Sequence, residues 1–102
     1  MFDIGQDRYI TKGIKYSLDS KLQIILWQMI EEARKEVALD YLQIFKLSKY
    51  SKNGRGLQRI IHTQEQPEYE RTIYVPVEKC INEKVYVIDD KTHSTMLLAS
   101  EY

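Results

Sequence analysis

Long apolar runs are missing from this sequence, and so is an excess of charge of one sign. Its 102 residues carry 15 Lys and Arg against 15 Asp and Glu, a formal net charge of zero, which argues against indiscriminate binding to a polyanion. Asp3, Asp7 and Arg8 interrupt the start of the chain, so no secretory signal is expected there. Charges recur within two turns along the one clear helix, so no membrane span is expected either. The single cysteine, Cys80, excludes an internal disulfide framework and a multi-cysteine metal site, and it agrees with a reducing, cytoplasmic location. Acidic residues are absent from one whole stretch. Residues 41 to 64 hold Lys46, Lys49, Lys52, Arg55 and Arg59 and no carboxylate, for a local charge of +5, whereas residues 65 to 102 sum to −4.

What is present is an amphipathic helix followed by alternating strands. At about 100° per residue, Leu18, Leu22, Ile25, Leu26, Met29, Ile30, Ala33 and Val37 fall on one arc, the stripe of a helix laid on something flat. Ser17, Asp19 and Ser20 offer capping oxygens at its start, and Glu31 to Lys35 is a favourable i,i+4 pair. A helix is therefore expected from Leu18 to Val37. Ile24 lies nearly opposite the stripe and Trp27 on its flank, so both are expected to face water or a partner.

Before the helix, Arg8 to Ile14 reads as a short strand with a bulge or close contact at Gly13. After it, Tyr41 to Leu47 is apolar on both alternating faces, so this strand is covered on two sides or faces a partner. Glycine and proline punctuate the second half of the chain. Ser51 to Gly56 contains Asn53-Gly54 and reads as a loop between strands, and Pro67 stops the next ladder after Leu57 to Glu65. Thr72 to Val77 contains Pro76, which argues for an edge position. Lys84 to Ile88 is strongly β-forming and Asp89-Asp90-Lys91 a turn, with a last strand at Ser94 to Ala99. The order implies a single α+β domain over 1–102, with one long helix packed on a mostly antiparallel sheet of about five or six strands.

No candidate site for catalysis survives comparison with its plainer explanation. Asp89, Asp90, His93 and Ser94 include the residue types of a nucleophilic triad, but they crowd one turn, where Asp and Ser are expected for their local backbone bonds. His62, His93 and Cys80 lack the spacings that put two metal ligands on one face. Asn53-Gly54-Arg55-Gly56 lacks the fingerprint of a phosphate loop and precedes a strand. No catalytic, cofactor or metal residues are therefore assigned. Two surfaces remain. Ile24 and Trp27, with an exposed sheet edge and some of the eight tyrosines, suit a protein partner or self-association. Lys46, Lys49, Lys52, Arg55 and Arg59, with Tyr50 among them, suit an arm that tracks a nucleic-acid backbone. A third reading is a small-molecule binder or enzyme with a pocket between helix and sheet.

The segments RYITKGI (Arg8 to Ile14), LQIILWQMIEE (Leu22 to Glu32), DYLQIFKL (Asp40 to Leu47), IIHTQEQPEY (Ile60 to Tyr69), YVIDD (Tyr86 to Asp90) and STMLLASEY (Ser94 to Tyr102) resemble a small family of cytosolic domains of unknown function from staphylococci and related low-GC Gram-positive bacteria. The resemblance spans nearly the whole chain. It implies a bacterial protein and brings no catalytic or ligand residue with it. The leading expectation is thus a non-enzymatic cytosolic interaction or regulatory domain, with nucleic-acid binding as the alternative.

Overall fold

The structure is a computed structural model that describes Phe2 and residues 6–102. It is a mixed α+β fold: β1 (Asp7–Ile10), α1 (Lys12–Ser17), α2 (Ser20–Arg34), then β2 (Leu42–Lys52), β3 (Arg55–Gln64), β4 (Tyr69–Val75), β5 (Glu83–Asp89), β6 (His93–Leu98) and a closing 3-10 turn, Ala99–Glu101. The strands form one sheet in the order β1-β6-β5-β2-β3-β4. Every neighbouring pair is antiparallel except β1 with β6.

The expected long helix is divided. Leu18 is buried as the stripe requires, but its backbone is extended (φ −116°, ψ 129°) and ends α1. That break frees Asp19 to cap α2, its Oδ1 accepting from the Leu22 N–H at 2.8 Å. A capping carboxylate at the positive end of a helix stabilises the new start. At the other end α2 stops at Arg34, because the backbone of 38–40 is held elsewhere: Gln64 Nε2 donates to the Ala38 carbonyl and the Asp40 N–H donates to Gln64 Oε1, both at 3.0 Å. Glu31 accepts from Arg34 and Arg8, while Lys35 pairs with Glu32.

The strand expected from Arg8 to Ile14 also ends early. Thr11 caps α1 through Oγ1, so Gly13 lies in the first helical turn. Its close contact is real: a Cβ there would sit 2.6 Å from the Glu101 carboxylate, which accepts from the Gly13 N–H and the Thr11 hydroxyl. These bonds, led by Thr11, hold the Glu101 carboxyl below its usual range. The loop expected over Ser51 to Gly56 contracts to two residues, Asn53 and Gly54, both with positive φ, as a right-twisted hairpin favours. β4, followed directly by Pro76, is an edge strand.

The core lies on one face of the sheet. Leu22, Leu26, Met29 and Ile30 of α2 and Ile14 of α1 pack with Phe45, Leu47, Ile60, Val85, Val87, Met96 and Leu98. Buried polar side chains on this face act as ties. Gln58 Nε2 donates to the Ser48 and Ile81 carbonyls at 3.0 Å while its Oε1 accepts from the Ile81 N–H, which fixes the β4–β5 connection. Asp89 accepts from the Phe2 N–H at 2.7 Å, from Gln6 and from the Lys91 N–H. Burial pushes the Asp89 carboxyl up, yet these hydrogen bonds outweigh burial and hold it below the ordinary value. No helix of the described residues is long and apolar enough to cross a membrane.

Candidate functional site

The residues that alternate with the core ones point to the other side of the sheet. There the register brings Thr95, Ile88 and Leu42 into one row, and Leu97, Tyr86, Ile44, Thr63 and Glu70 into the next. Beyond them lie Lys84, Lys46, Ile61 and Thr72, then Ser48, Arg59 and Tyr74. None of these residues is fully buried. The helices α1 and α2 pack on the opposite side, and on this face Tyr102, just after the closing turn, lies edge-on to Tyr86 at 5.5 Å. This face carries Leu42, Ile44, Ile61, Ile88 and Leu97 half-buried at its centre, a contiguous apolar patch of the kind that marks an interaction site. The doubly apolar β2 thus meets the core with Phe45 and Leu47 and meets solvent with Leu42 and Ile44.

Aromatic and basic residues gather toward the β2–β3 turn. Tyr50 and Tyr74 lie 4.7 Å apart between ring centroids, the Arg59 guanidinium sits 5.9 Å from the Tyr50 ring, and Arg59 Nε donates to Ser48 Oγ at 3.0 Å. Tyr74 is 46% exposed. Of the five expected basic residues, Lys46, Lys52, Arg55 and Arg59 share the open face by register, while Lys49 belongs to the helix-side set with Gln58.

On the helix side, Ile24 is 54% exposed. Trp27 is half-buried against the core, and the Arg8 guanidinium lies 4.8 Å over its ring. The helix therefore presents Ile24 more fully than Trp27. Between α2 and β4 runs a groove of about 560 Å³, lined by Ile25, Met29, Ile73 and Val75 with Gln28, Glu31, Glu32 and Arg71 at its polar side. Its walls are half apolar and half polar, and Glu31 is already engaged by Arg8 and Arg34.

The histidines illustrate what the arrangement does chemically. His62 is fully buried, stacked on Phe45 at 4.3 Å and edge-on to Tyr69. Gln43 Nε2 donates to Gln64 Oε1, so Gln43 Oε1 is the acceptor for His62 Nε2–H at 2.6 Å. Burial, with the Arg71 charge second, lowers the His62 pKa to about 4, so the ring is neutral at neutral pH. His93 contacts Asp90 at 2.8 Å, but Ser94, one residue on, is buried and points to the opposite face. The pleat thus separates the histidine from the serine. Among the described residues, no group of three or more His, Cys, Asp and Glu could hold a metal ion. The open face has half-buried aliphatic residues that take no part in the core.

Residues 7–101 match a family described as a staphylococcal protein of unknown function (DUF960). The fold is similar to the crystal structure of a protein of unknown function from Enterococcus faecalis, with a TM-score of 0.83 at 27% sequence identity over 99% of this chain and 94% of that one. No curated protein matches.

Proposed function

This chain belongs to that staphylococcal family of unknown function, and from that premise we propose that it is a non-enzymatic protein-interaction domain whose main docking surface is the open face of its sheet. The observation that carries this reading is the aliphatic patch of Leu42, Ile44, Ile61, Ile88 and Leu97, left half-buried where the opposite face is sealed. Burial of such a patch is favourable at roughly 25 cal/mol per Å², and flat apolar faces ringed by charge suit proteins better than small molecules. On the helix side, Ile24 and the half-buried Trp27 are neighbours on α2 and form a smaller second contact. The test uses the immobilised chain to capture proteins from a lysate of the source bacterium. Ile61→Lys loses the captured set and Ile24→Lys weakens it; full retention by Ile61→Lys overturns the reading.

A second reading is favoured by the cluster of Tyr50, Tyr74 and Arg59 beside Lys46, Lys52 and Arg55, with Lys49 on the reverse of the arm. Aromatic rings among cations are a stacking platform for single-stranded nucleic acid. Its test is binding to single-stranded oligonucleotides at two salt concentrations, with Arg55→Glu and Arg59→Glu expected to remove a salt-dependent affinity.

A further inference from the structure

The open face is polar along its strands. Its centre is aliphatic, but toward the β2–β3 turn Lys46 pairs with Lys84, Arg59 comes next, and Lys52 pairs with Arg55 at the tip. At the other end of β3 and β4 stand the exposed carboxylates Glu65 and Glu68, with Glu70 next to them in the row of Ile44 and Thr63. Cations thus stand toward one end of this face and carboxylates toward the other. We propose that the occupant of this face is a second copy of this chain, stacked sheet on sheet about a two-fold axis that lies between the sheets and runs across the strands. The inference rests on the reading of the open face as a protein-docking surface.

Charge selects this axis. A two-fold across the strands keeps each strand over its equivalent and reverses its direction, so the β3 side of the basic arm of one copy lies toward the Glu65 and Glu68 end of the other, and does so twice. A two-fold along the strands would instead bring the two basic ends together, with Lys46 of one copy facing Lys84 of the other. In either case aliphatic centre meets aliphatic centre. The area is sufficient: six strands ~4.8 Å apart and about seven residues long at ~3.3 Å each cover roughly 650 Å² in projection, near the ~800 Å² per partner of a standard stable interface.

Sedimentation equilibrium on the full chain tests the proposal. The wild type is expected at twice its 12.2 kDa protomer mass, and Ile44→Lys and Ile61→Lys at the protomer mass, each checked for a native far-UV circular dichroism spectrum. Two charge reversals leave the apolar centre intact: one carries Lys46→Glu, Arg55→Glu and Arg59→Glu, the other Glu65→Lys, Glu68→Lys and Glu70→Lys. Each alone is expected to weaken the dimer at least about tenfold, and their equimolar mixture to restore it, because each arm then meets an end of opposite sign. A wild type that stays monomeric, a dimer that survives both Ile→Lys changes, or a mixture that fails to re-form the dimer overturns the inference. A monomeric wild type whose Ile61→Lys variant still loses captured proteins removes the second copy and leaves the docking surface standing. A monomer that binds single-stranded oligonucleotide through the basic arm and captures no protein overturns both.

Discussion

On β2, Phe45 and Leu47 are sealed beneath the helices, while Ile44 and Lys46 beside them look outward. The same contrast repeats on β3, where Ile60 is buried and Ile61 half-exposed, and on β5, where Val87 is buried and Ile88 is not. Both faces are rich in branched aliphatic residues, so composition does not distinguish them. What differs is the cover. The helix-side face is closed by α1 and α2 and tolerates glutamines and a histidine only because each is hydrogen-bonded. The open face keeps its polar atoms in water and needs no such network. One face therefore holds the fold together and the other is left without a helical cover.

Truncating neighbouring residues of β2 separates the two faces most strongly. Phe45→Ala is expected to lower unfolding free energy by about 3–5 kcal/mol in urea titrations, as large core truncations do. Ile44→Ala, one residue away, is expected to cost under about 1 kcal/mol of protomer stability. Equal losses at the two positions would mean that the open face is core after all.

Acid should act through the closed face next. The His62 pKa is lowered to about 4 in the fold, whereas an unfolded chain takes up that proton near pH 6.5. Between these values the unfolded state binds more protons, so stability falls as pH drops from about 6.5 toward 4, by up to roughly 3 kcal/mol. Urea titrations from pH 7 to 4 should show a steeper decline in the wild type than in His62→Gln. Parallel declines would show that the ring titrates the same way folded and unfolded.

The smallest effect concerns the open face alone. Ile61→Thr keeps the β-branch and is expected to move protomer stability by no more than about 0.5 kcal/mol. Urea titrations at concentrations where the chain is monomeric check this. A large loss of stability would place Ile61 under a cover.

Much of this architecture was legible in the residues. The stripe Leu22, Leu26, Met29, Ile30 and Ala33 turned inward as its period required. Strands arose where alternation and β-branching indicated, the Asn53-Gly54 pair made the turn, and Pro76 followed an edge strand. Local sterics and spacing decide such features, and both are written in consecutive residues. The break at Leu18 was less legible, because an apolar stripe is blind to which of several cap residues is used.

The open face lay beyond the sequence for a different reason. An alternating strand shows that it has two faces and not which one a helix will cover, and a doubly apolar strand such as β2 leaves both choices available. The candidate contact residues divided on the same ground: Ile24 stays exposed, whereas Trp27 is half-covered because Arg8, nineteen residues earlier, lies over its ring. Likewise, nothing near His62 in the chain predicts a neutral ring bound to Gln43 and stacked on Phe45. Most strands, the turns and the charge layout depend on neighbours along the chain and could be read from consecutive residues, whereas the break at Leu18 and the early end of β1 could not. Only the tertiary structure decided which side of the sheet is sealed, because two short helices can close just one face of six strands.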